Sequence, residues 1–330
     1  MPKILRILII IFIKMKIKHS YTNTNLIKPI KKYTFAFVCQ KGRLEIEALF
    51  LAASLKRFLK CEYELIAIAP GPNSVFGEPS EIAIDLLKKM GVRIEYINND
   101  LVSDLKAKHP DVKHLPRIIR SIFYSNKFLC FKPPINSDKL IYLDSDIILY
   151  EEFYGDIALS IPLNARIGGL GDCISVDGNW DKIFRLTNAK MPNIRIKNWE
   201  RKNKNPTEYN YTPPHFNGGF IGVNAEYVNK FYKVWLKCYK KIISKNLVGN
   251  KLFSEQIALS IAIHKMDIPY NILNHDFPKM PFLHYFSNID RITKKPEIYS
   301  LFVSILEEYP EIKELIQTDK TWYFNHFLNI

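Results

Sequence analysis

The sequence contains few cysteines and no closely spaced pair of them. There are five, an odd number, and no CxxC motif occurs among Cys39, Cys61, Cys130, Cys173 and Cys238. An odd and scattered set excludes a disulfide framework and argues against a zinc site built from cysteine pairs. The pattern favours free thiols in a reducing compartment, so we expect a cytoplasmic protein.

Long hydrophobic runs are also missing. The most apolar stretch near the N-terminus, residues 4–13, is interrupted by Arg6 and is followed by Lys14, Lys16 and Lys18. A helix of that length cannot cross the ~30 Å hydrocarbon core of a bilayer. No small-residue cleavage site follows the stretch, which argues against a secretory signal peptide.

Acidic residues are absent from the first 44 positions. Residues 1–44 carry ten Lys or Arg and no Asp or Glu, so they supply most of the formal net charge of +14. The remainder is only mildly basic and shows no helix-turn-helix, zinc-finger or aromatic RNA-binding pattern, so we expect no nucleic-acid partner. We expect residues 1–32 to form a basic and apolar extension. It is either a frayed segment or a short interfacial helix drawn to anionic lipid.

From Tyr33 onwards the sequence alternates between strand and helix patterns, with no internal repeat and no flexible linker. The predicted strands are residues 33–39, 64–69, 92–97, 139–150, 166–170, 215–223 and 269–273. The predicted helices are residues 44–59, 81–90, 118–131, 226–244 and 254–266. This order predicts an α/β fold with a mostly parallel central sheet flanked by helices. We expect one domain, in which residues 33–150 form the first half and residues 151–330 the second.

Two carboxylates interrupt the apolar run at residues 139–150. Asp144 and Asp146 are one residue apart, so in an extended chain their side chains point to the same side. Buried anions of this kind are costly unless a counter-charge neutralises them. Mn²⁺ or Mg²⁺, which prefer oxygen ligands, would do so and would bind a phosphate-bearing substrate. The alternative is a strand that ends in a polar turn holding two aspartates.

Three later segments carry polar side chains that suit such a site. Asn217 lies beside two glycines, which permit close approach of a ligand to the backbone. Glu255 and Gln256 begin a predicted helix, and His284 lies in an apolar run. Each segment also has a structural explanation, respectively a bulged strand, an acid favoured in a first helical turn and a core histidine.

Four motifs then occur in the order typical of a known family. They are YLDSDIIL at 142–149, FNGGFIGVN at 216–224, EQIALSIAI with IPYNIL at 255–263 and 268–273, and LHYF at 283–286. With these motifs the sequence resembles glycosyltransferases of the GT-A fold, most closely glycosyltransferase family 8 and its uncharacterised bacterial relatives. The resemblance covers most of the chain.

The resemblance implies a metal-dependent transfer of a sugar from a nucleotide sugar, most often a UDP-sugar, to a glycan or lipid-linked acceptor. It implies that Asp144, Asp146 and His284 bind the Mn²⁺ or Mg²⁺ ion. Asn217, Glu255 and Gln256 would act near the reacting carbon. The residues expected to contact the nucleotide sugar are Gln40, Lys41, Lys127 and Ser145. Gly218 and Asp172 are expected to contact the sugar or the acceptor.

The resemblance also implies retention of the anomeric configuration and a role in polysaccharide biosynthesis. Bacterial relatives of this kind often act on lipid carriers, so the basic N-terminus would rest on the inner face of the plasma membrane. The sequence departs from the family after His284, where Ser287, Asn288 and Ile289 replace the usual continuation with glycine and lysine. Arg291 is a candidate for the missing positive charge, and Glu255 replaces the more usual aspartate.

Other functions remain open at this point. A phosphatase of the haloacid dehalogenase type also places Asp-x-Asp after an apolar strand, but in its first strand rather than after three others. A non-catalytic glycan-binding module on a similar core would not need the intact acidic pair. A nucleotidyltransferase normally has a glycine-rich basic loop after its first strand, of which residues 40–43 are only a faint version.

Overall fold

The computed structural model describes residues 30–72, 74, 76–99, 101, 124–155, 157–168, 180–193, 196–197, 211–244, 253–273, 280–319 and 324. Most of the predicted N-terminal extension and Asp172 therefore lie outside the described residues. The strands are β1 (Lys32–Val38), β2 (Glu62–Ala69), β3 (Val92–Tyr96), β4 (Lys139–Leu143), β5 (Ile147–Leu149), β6 (Leu163–Ile167), β7 (Ile196–Lys197), β8 (Tyr211–Thr212), β9 (Phe216–Asn224), β10 (Tyr270–Leu273) and β11 (Phe282–His284).

The described α-helices are α1 (Arg43–Phe58), α2 (Glu81–Lys89), α3 (Trp180–Leu186), α4 (Ala225–Ser244), α5 (Ser254–Met266), α6 (Ile289–Thr293), α7 (Pro296–Glu308) and α8 (Glu311–Asp319). Four of these eight helices, α1, α2, α4 and α5, correspond to helices with a predicted range, and the other four had none. Two 3₁₀ helices cover Tyr124–Phe131 and Ile157–Ser160. The first of these falls within the helix predicted at residues 118–131, the earlier part of which is outside the described residues. None of the described helices is long and apolar enough to span a bilayer.

Seven strands form the central sheet, in the order β10-β6-β9-β4-β1-β2-β3. All the pairings are parallel except those of β9, which runs antiparallel to both β4 and β6. The other six strands therefore end at one edge of the sheet. This mostly parallel sheet with helices on both faces confirms the predicted α/β single-domain fold, and it is consistent with GT-A.

Alternate residues of β1 show how the sheet separates two cores. Phe35 and Phe37 pack with α1, α2, α7 and α8 on one face. Ala36 and Val38 pack with the first 3₁₀ helix, α3, α4 and α5 on the other face. Successive side chains of a strand point to opposite faces, so a strand covered on both sides is apolar throughout. This explains the unbroken apolar run that predicted β1.

The strand predicted at residues 139–150 is two strands. β4 ends at Leu143 and belongs to the central sheet, whereas β5 pairs antiparallel with β11 in a separate two-stranded sheet. The turn between them holds the two aspartates at the edge where the parallel strands end. Open α/β sheets bind their ligands at this edge.

Candidate active site

The turn at Asp144, Ser145 and Asp146 is fixed by two neighbouring strands. Ser145 Oγ donates a hydrogen bond of 2.5 Å to the carbonyl oxygen of Val38 at the end of β1. The backbone N–H of Asp144 donates to the carbonyl oxygen of Gly219 in β9, at 2.9 Å. The backbone at these residues therefore forms the polar turn that ends β4, as the alternative explanation from the sequence has it. Ser145 is 3 % exposed, and its hydroxyl group is used within the protein to hold the turn.

His284 lies directly opposite this turn because β11 pairs with β5. The ligand atoms of Asp144, Asp146 and His284 all lie within 4.8 Å of one another. His284 Nε2 is 3.0 Å from Asp146 Oδ1. Its other ring nitrogen, Nδ1, is buried and has no hydrogen-bond partner among the described residues. Two carboxylates and an imidazole are a suitable donor set for Mn²⁺, so these residues fit the predicted cation.

The charges around Asp146 favour its ionised form. Burial acts to raise the pKa of Asp146, but the adjacent His284, with Arg43 and Lys127, outweighs burial and holds the pKa below its usual value. Asp144 accepts a hydrogen bond from the buried Tyr142 hydroxyl. Burial, and next the charge of Asp144, raise the pKa of Tyr142 well above its usual value, so the phenol stays protonated as a donor.

Lys127 brings a positive charge to the same site from the first 3₁₀ helix. Its Nζ is 3.3 Å from Asp144 Oδ1 and 3.7 Å from Glu255 Oε1. Burial alone would lower the pKa of Lys127, but Asp144 and Glu255 outweigh it and raise the pKa above its usual value. A charged ammonium is thus held between two carboxylates in a buried position, 6 % exposed.

Glu255 enters the site from the first turn of α5. It is 1 % exposed, and its Oε2 has no hydrogen-bond partner in the described part of the chain. Burial raises the pKa of Glu255 to about 7, against the opposing attraction of Lys127. Trp235 of α4 donates to the backbone oxygen of Glu255 at 2.9 Å and so fixes the start of the helix. A buried carboxyl group with an unused oxygen suits contact with a bound hydroxyl group.

Asn217 and two glycines complete the wall of the site along β9. Asn217 Nδ2 donates to Gln256 Oε1 at 3.3 Å, and Asn217 Oδ1 accepts from the Gly219 N–H at 2.8 Å. A Cβ atom on Gly218 would lie 2.9 Å from Lys127 Nζ, and one on Gly219 would lie 2.6 Å from a carbon of the His284 ring. The two glycines are therefore required for the lysine and the histidine to reach the aspartates.

The pairing of β9 with β6 shifts at this point. Ala165 pairs with Ile221, but the next residue, Arg166, pairs with Asn217. Such irregularities are frequent beside active sites, where they redirect side chains. The two glycines therefore belong to an irregular part of β9, as the structural explanation has it, and this irregular part is also the wall of the site.

Gln40 and Lys41 follow β1 and behave differently. Gln40 is buried, and its Oε1 accepts from Asn126 Nδ2 at 2.9 Å. Asn126 Oδ1 in turn accepts from Asn99 Nδ2 at 2.7 Å, so a chain of amides joins the ends of β1 and β3. Lys41 is exposed, and its backbone N–H donates to the Gly77 carbonyl oxygen at 3.3 Å. Neither residue belongs to the metal-ligand cluster.

Sequence reasoning missed a polar network behind Asp146. Ser287 Oγ lies 2.9 Å from Glu47 Oε1 and 3.4 Å from Asp146 Oδ2. Arg43 bonds to both Glu47, at 2.7 Å, and Ser287. Ser287 has a φ of +51°, a left-handed conformation that glycine adopts more easily. The resemblance to glycosyltransferase family 8 implies a glycine near this position, and that departure was the clue in the sequence.

The residue before Ser287 also has a left-handed backbone. Phe286 has a φ of +51° and stacks on His284, with ring centres 3.7 Å apart. The Arg291 guanidinium lies 4.5 Å from the centre of the Phe286 ring, and it donates to the His284 carbonyl oxygen at 3.3 Å. The segment after β11 therefore places a positive charge close to the backbone of the histidine.

The structure thus brings most of the predicted site residues to one edge of the sheet. They are Lys127, Asp144, Ser145, Asp146, Asn217, Gly218, Glu255, Gln256 and His284. Gln40 lies at the end of the neighbouring strand, Lys41 lies on the surface beside it, and Asp172 is outside the described residues.

Comparison with known proteins identifies the family. The model of the Rhodobacterales glycosyltransferase domain matches residues 35–267, which include both aspartates, Lys127, β9 and the whole of α5. No curated protein matches the chain. A match over more than half of the chain favours a glycosyltransferase over the phosphatase and nucleotidyltransferase alternatives. The chain belongs to the Rhodobacterales glycosyltransferase domain family.

Proposed function

We propose that the protein is a metal-dependent glycosyltransferase that takes a sugar from a nucleoside diphosphate sugar, most simply a UDP-sugar. The observation that carries the proposal is the convergence of Asp144, Asp146 and His284, whose ligand atoms lie within 4.8 Å of one another at the ligand-binding edge of the sheet. These residues would hold Mn²⁺ or Mg²⁺. When bound, such an ion supplies positive charge that binds a diphosphate and stabilises it as a leaving group.

Lys127 would stabilise the same negative charge without any help from a metal. Its ammonium stays protonated and lies 3.3 Å from Asp144, so it is fixed before the substrate arrives. A preorganised charge in a buried site acts more strongly than one in water, since the protein need not reorganise during the reaction. Gly218 provides the space in which this ammonium lies.

Glu255, Gln256 and Asn217 would bind the donor sugar near its reacting carbon. Glu255, which has one unused oxygen, lies 3.7 Å from the Lys127 Nζ, and the amides of Asn217 and Gln256 are hydrogen-bonded to each other beside it. Carboxyl and amide groups accept and donate hydrogen bonds to sugar hydroxyls. The resemblance to glycosyltransferase family 8 supports retention of the anomeric configuration, which proton NMR of the first-formed product would establish.

Residues 33–150 would bind the nucleotide, and residues 151–330 would form the acceptor side. Gln40 and Lys41 would contact the base, Ser145 would hold the metal-binding turn, and Asp172 would contact the sugar or acceptor. We propose a glycan or a lipid-linked sugar as acceptor, used in polysaccharide biosynthesis on the inner face of the plasma membrane. The basic extension at residues 1–32 would add membrane contact.

The test is hydrolysis of nucleotide sugars in the absence of an acceptor, measured as release of nucleoside diphosphate from a panel of donors. We expect Mn²⁺-dependent release from one donor class, abolished by a chelator. The double variant Asp144→Asn with Asp146→Asn should lose this activity. A control that removes two exposed carboxylates, Asp85→Asn with Asp181→Asn, should retain it.

Two results would contradict the proposal. If no donor is hydrolysed although nucleotides bind, the protein is a binding module. If release is equally fast with chelator present, the carboxylates do not act through a divalent cation.

A further inference from the structure

The outer face of α4 carries an unusual concentration of lysine. Its five lysines are Lys230, Lys233, Lys237, Lys240 and Lys241, which together we call the lysine face. At 100° per residue these positions fall within about 100° of the helix circumference. Lys230, Lys233 and Lys237 are exposed. Glu226 is the sole acidic residue of the helix, so α4 carries a net charge of +4.

This charge equals the basic excess of the chain beyond residue 44. That part of the sequence contains 37 Lys or Arg and 33 Asp or Glu. Elsewhere in that part of the chain, opposite charges balance. Among the residues that the structure describes, Lys230, Lys233 and Lys237 form no salt bridge. The positive charges of these three lysines are therefore not neutralised by an ion pair with a described carboxylate.

A cavity of about 200 Å³ runs along one flank of the lysine face. On the α4 side it is lined by Tyr232, Leu236 and Lys240, and on the other side by Asn98, Asn99 and the exposed Lys132. It thus combines apolar side chains, amides and two ammonium groups. These groups suit a ligand that has both an anionic headgroup and an apolar part.

We propose that the lysine face, with this flanking cavity, docks on the surface of an anionic lipid bilayer. Clusters of four to eight basic residues on an amphipathic helix are attracted to anionic headgroups, by about fivefold in affinity for each residue. All five residues are lysine, which interacts as a simple point charge. A nucleic acid partner would favour arginine, which makes paired hydrogen bonds to phosphates and bases.

Docking through α4 would bring the candidate active site close to the bilayer. The inner side of the same helix contacts the candidate active site, since Trp235 donates to the backbone oxygen of Glu255. A bilayer against the outer side would lie about 10 Å, one helix diameter, from that contact. Docking through α4 rests on the membrane location proposed above and adds a second contact surface to it, and a vesicle-binding test of it does not require turnover.

The test is co-sedimentation of the full chain with phosphatidylcholine vesicles, with and without phosphatidylglycerol. We compare the wild type with the triple variant Lys230→Gln, Lys233→Gln and Lys237→Gln. The control triple variant is Lys88→Gln, Lys89→Gln and Lys295→Gln, which removes the same charge from α2 and the start of α7 on the other face of the sheet. Residues 1–32 are present in all three proteins, so their contribution is constant.

We expect the wild type and the control to bind anionic vesicles, less tightly as salt is added, and neither to bind neutral vesicles. The α4 variant should bind anionic vesicles roughly 100-fold more weakly. Exposed lysines on a helix can be replaced without loss of the fold, and matching circular dichroism melts check this. Equal binding by the two variants, or equal binding of the wild type to neutral vesicles, would overturn the proposal. The proposal would also be overturned if the α4 variant lost binding to a homopolymeric RNA probe while its binding to vesicles stayed unchanged.

Discussion

Replacement of Glu255 by glutamine gives the most informative perturbation of the site. The two side chains have nearly the same shape, so the substitution removes the ionisation and little else. Glu255 is 1 % exposed and has one oxygen without a described hydrogen-bond partner. Burial raises its pKa from 4.5 to about 7, with Lys127 opposing the rise. Below about pH 7 the folded protein therefore prefers the protonated form of Glu255.

The size of the effect follows from this difference in pKa. Each unit corresponds to 1.36 kcal/mol, so ionised Glu255 costs the folded state about 3 kcal/mol. Below pH 4.5 both states hold the proton and there is no cost. As the pH rises from 4.5 to about 7, the unfolded state releases its proton first, and the free energy of unfolding falls. Above pH 7 the full cost persists.

The assay is urea unfolding of both proteins in metal-free buffer between pH 4.5 and pH 8. We expect the free energy of unfolding of Glu255→Gln, minus that of the wild type, to rise by about 3 kcal/mol across this range. The exposed Glu307→Gln makes the same chemical change on the surface of α7 and serves as the control. A flat difference for Glu255→Gln would refute the reasoning. Such a cost is expected where a residue is selected for binding rather than for stability.

Substitutions at three further positions test other parts of the site. Gly218→Ala would place a Cβ atom 2.9 Å from the Lys127 Nζ; because a flexible side chain can move away, stability should change little in urea unfolding while sugar transfer falls at least tenfold. Lys127→Met removes the charge beside Asp144 and should lower kcat by about 10²-fold or more at saturating donor, and an unchanged kcat would exclude Lys127 from leaving-group stabilisation. Ser287→Ala and Ser287→Gly both lose the contact with Glu47. Because glycine adopts a left-handed backbone without strain, Ser287→Gly should be more stable than Ser287→Ala by about 1 kcal/mol in urea unfolding. Equal stability of these two variants would show that the backbone is unstrained.

Local sequence patterns predicted the first half of the fold well. The order from β1 to β3 follows from apolar runs, helical spacing and turn residues, and each element is within two residues of its predicted limits. The break between β4 and β5 was not predicted. It depends on contacts distant in sequence, namely the bond from Asp144 to Gly219 and the pairing of β5 with β11. The apolar residues on either side of the break read locally as one strand.

The candidate site shows the same division. Asp144 and Asp146 were found from their spacing, and His284 and Lys127 from the family resemblance. The network that supports Asp146 was not found, because Glu47 has the sequence context of an ordinary helix residue and Ser287 that of an ordinary loop residue. Their contact exists because α1 and the segment after β11 meet in the folded chain. Such contacts leave no local pattern.

The most direct test of the metal site is calorimetric titration of the donor's nucleoside diphosphate into the protein, with Mn²⁺ and with chelator. The account predicts tight binding by the wild type with Mn²⁺ and much weaker binding with chelator. The double variant Asp144→Asn with Asp146→Asn should bind weakly under both conditions. Equal affinity of the wild type with and without Mn²⁺ would contradict the account, as would an undiminished gain from Mn²⁺ in the variant.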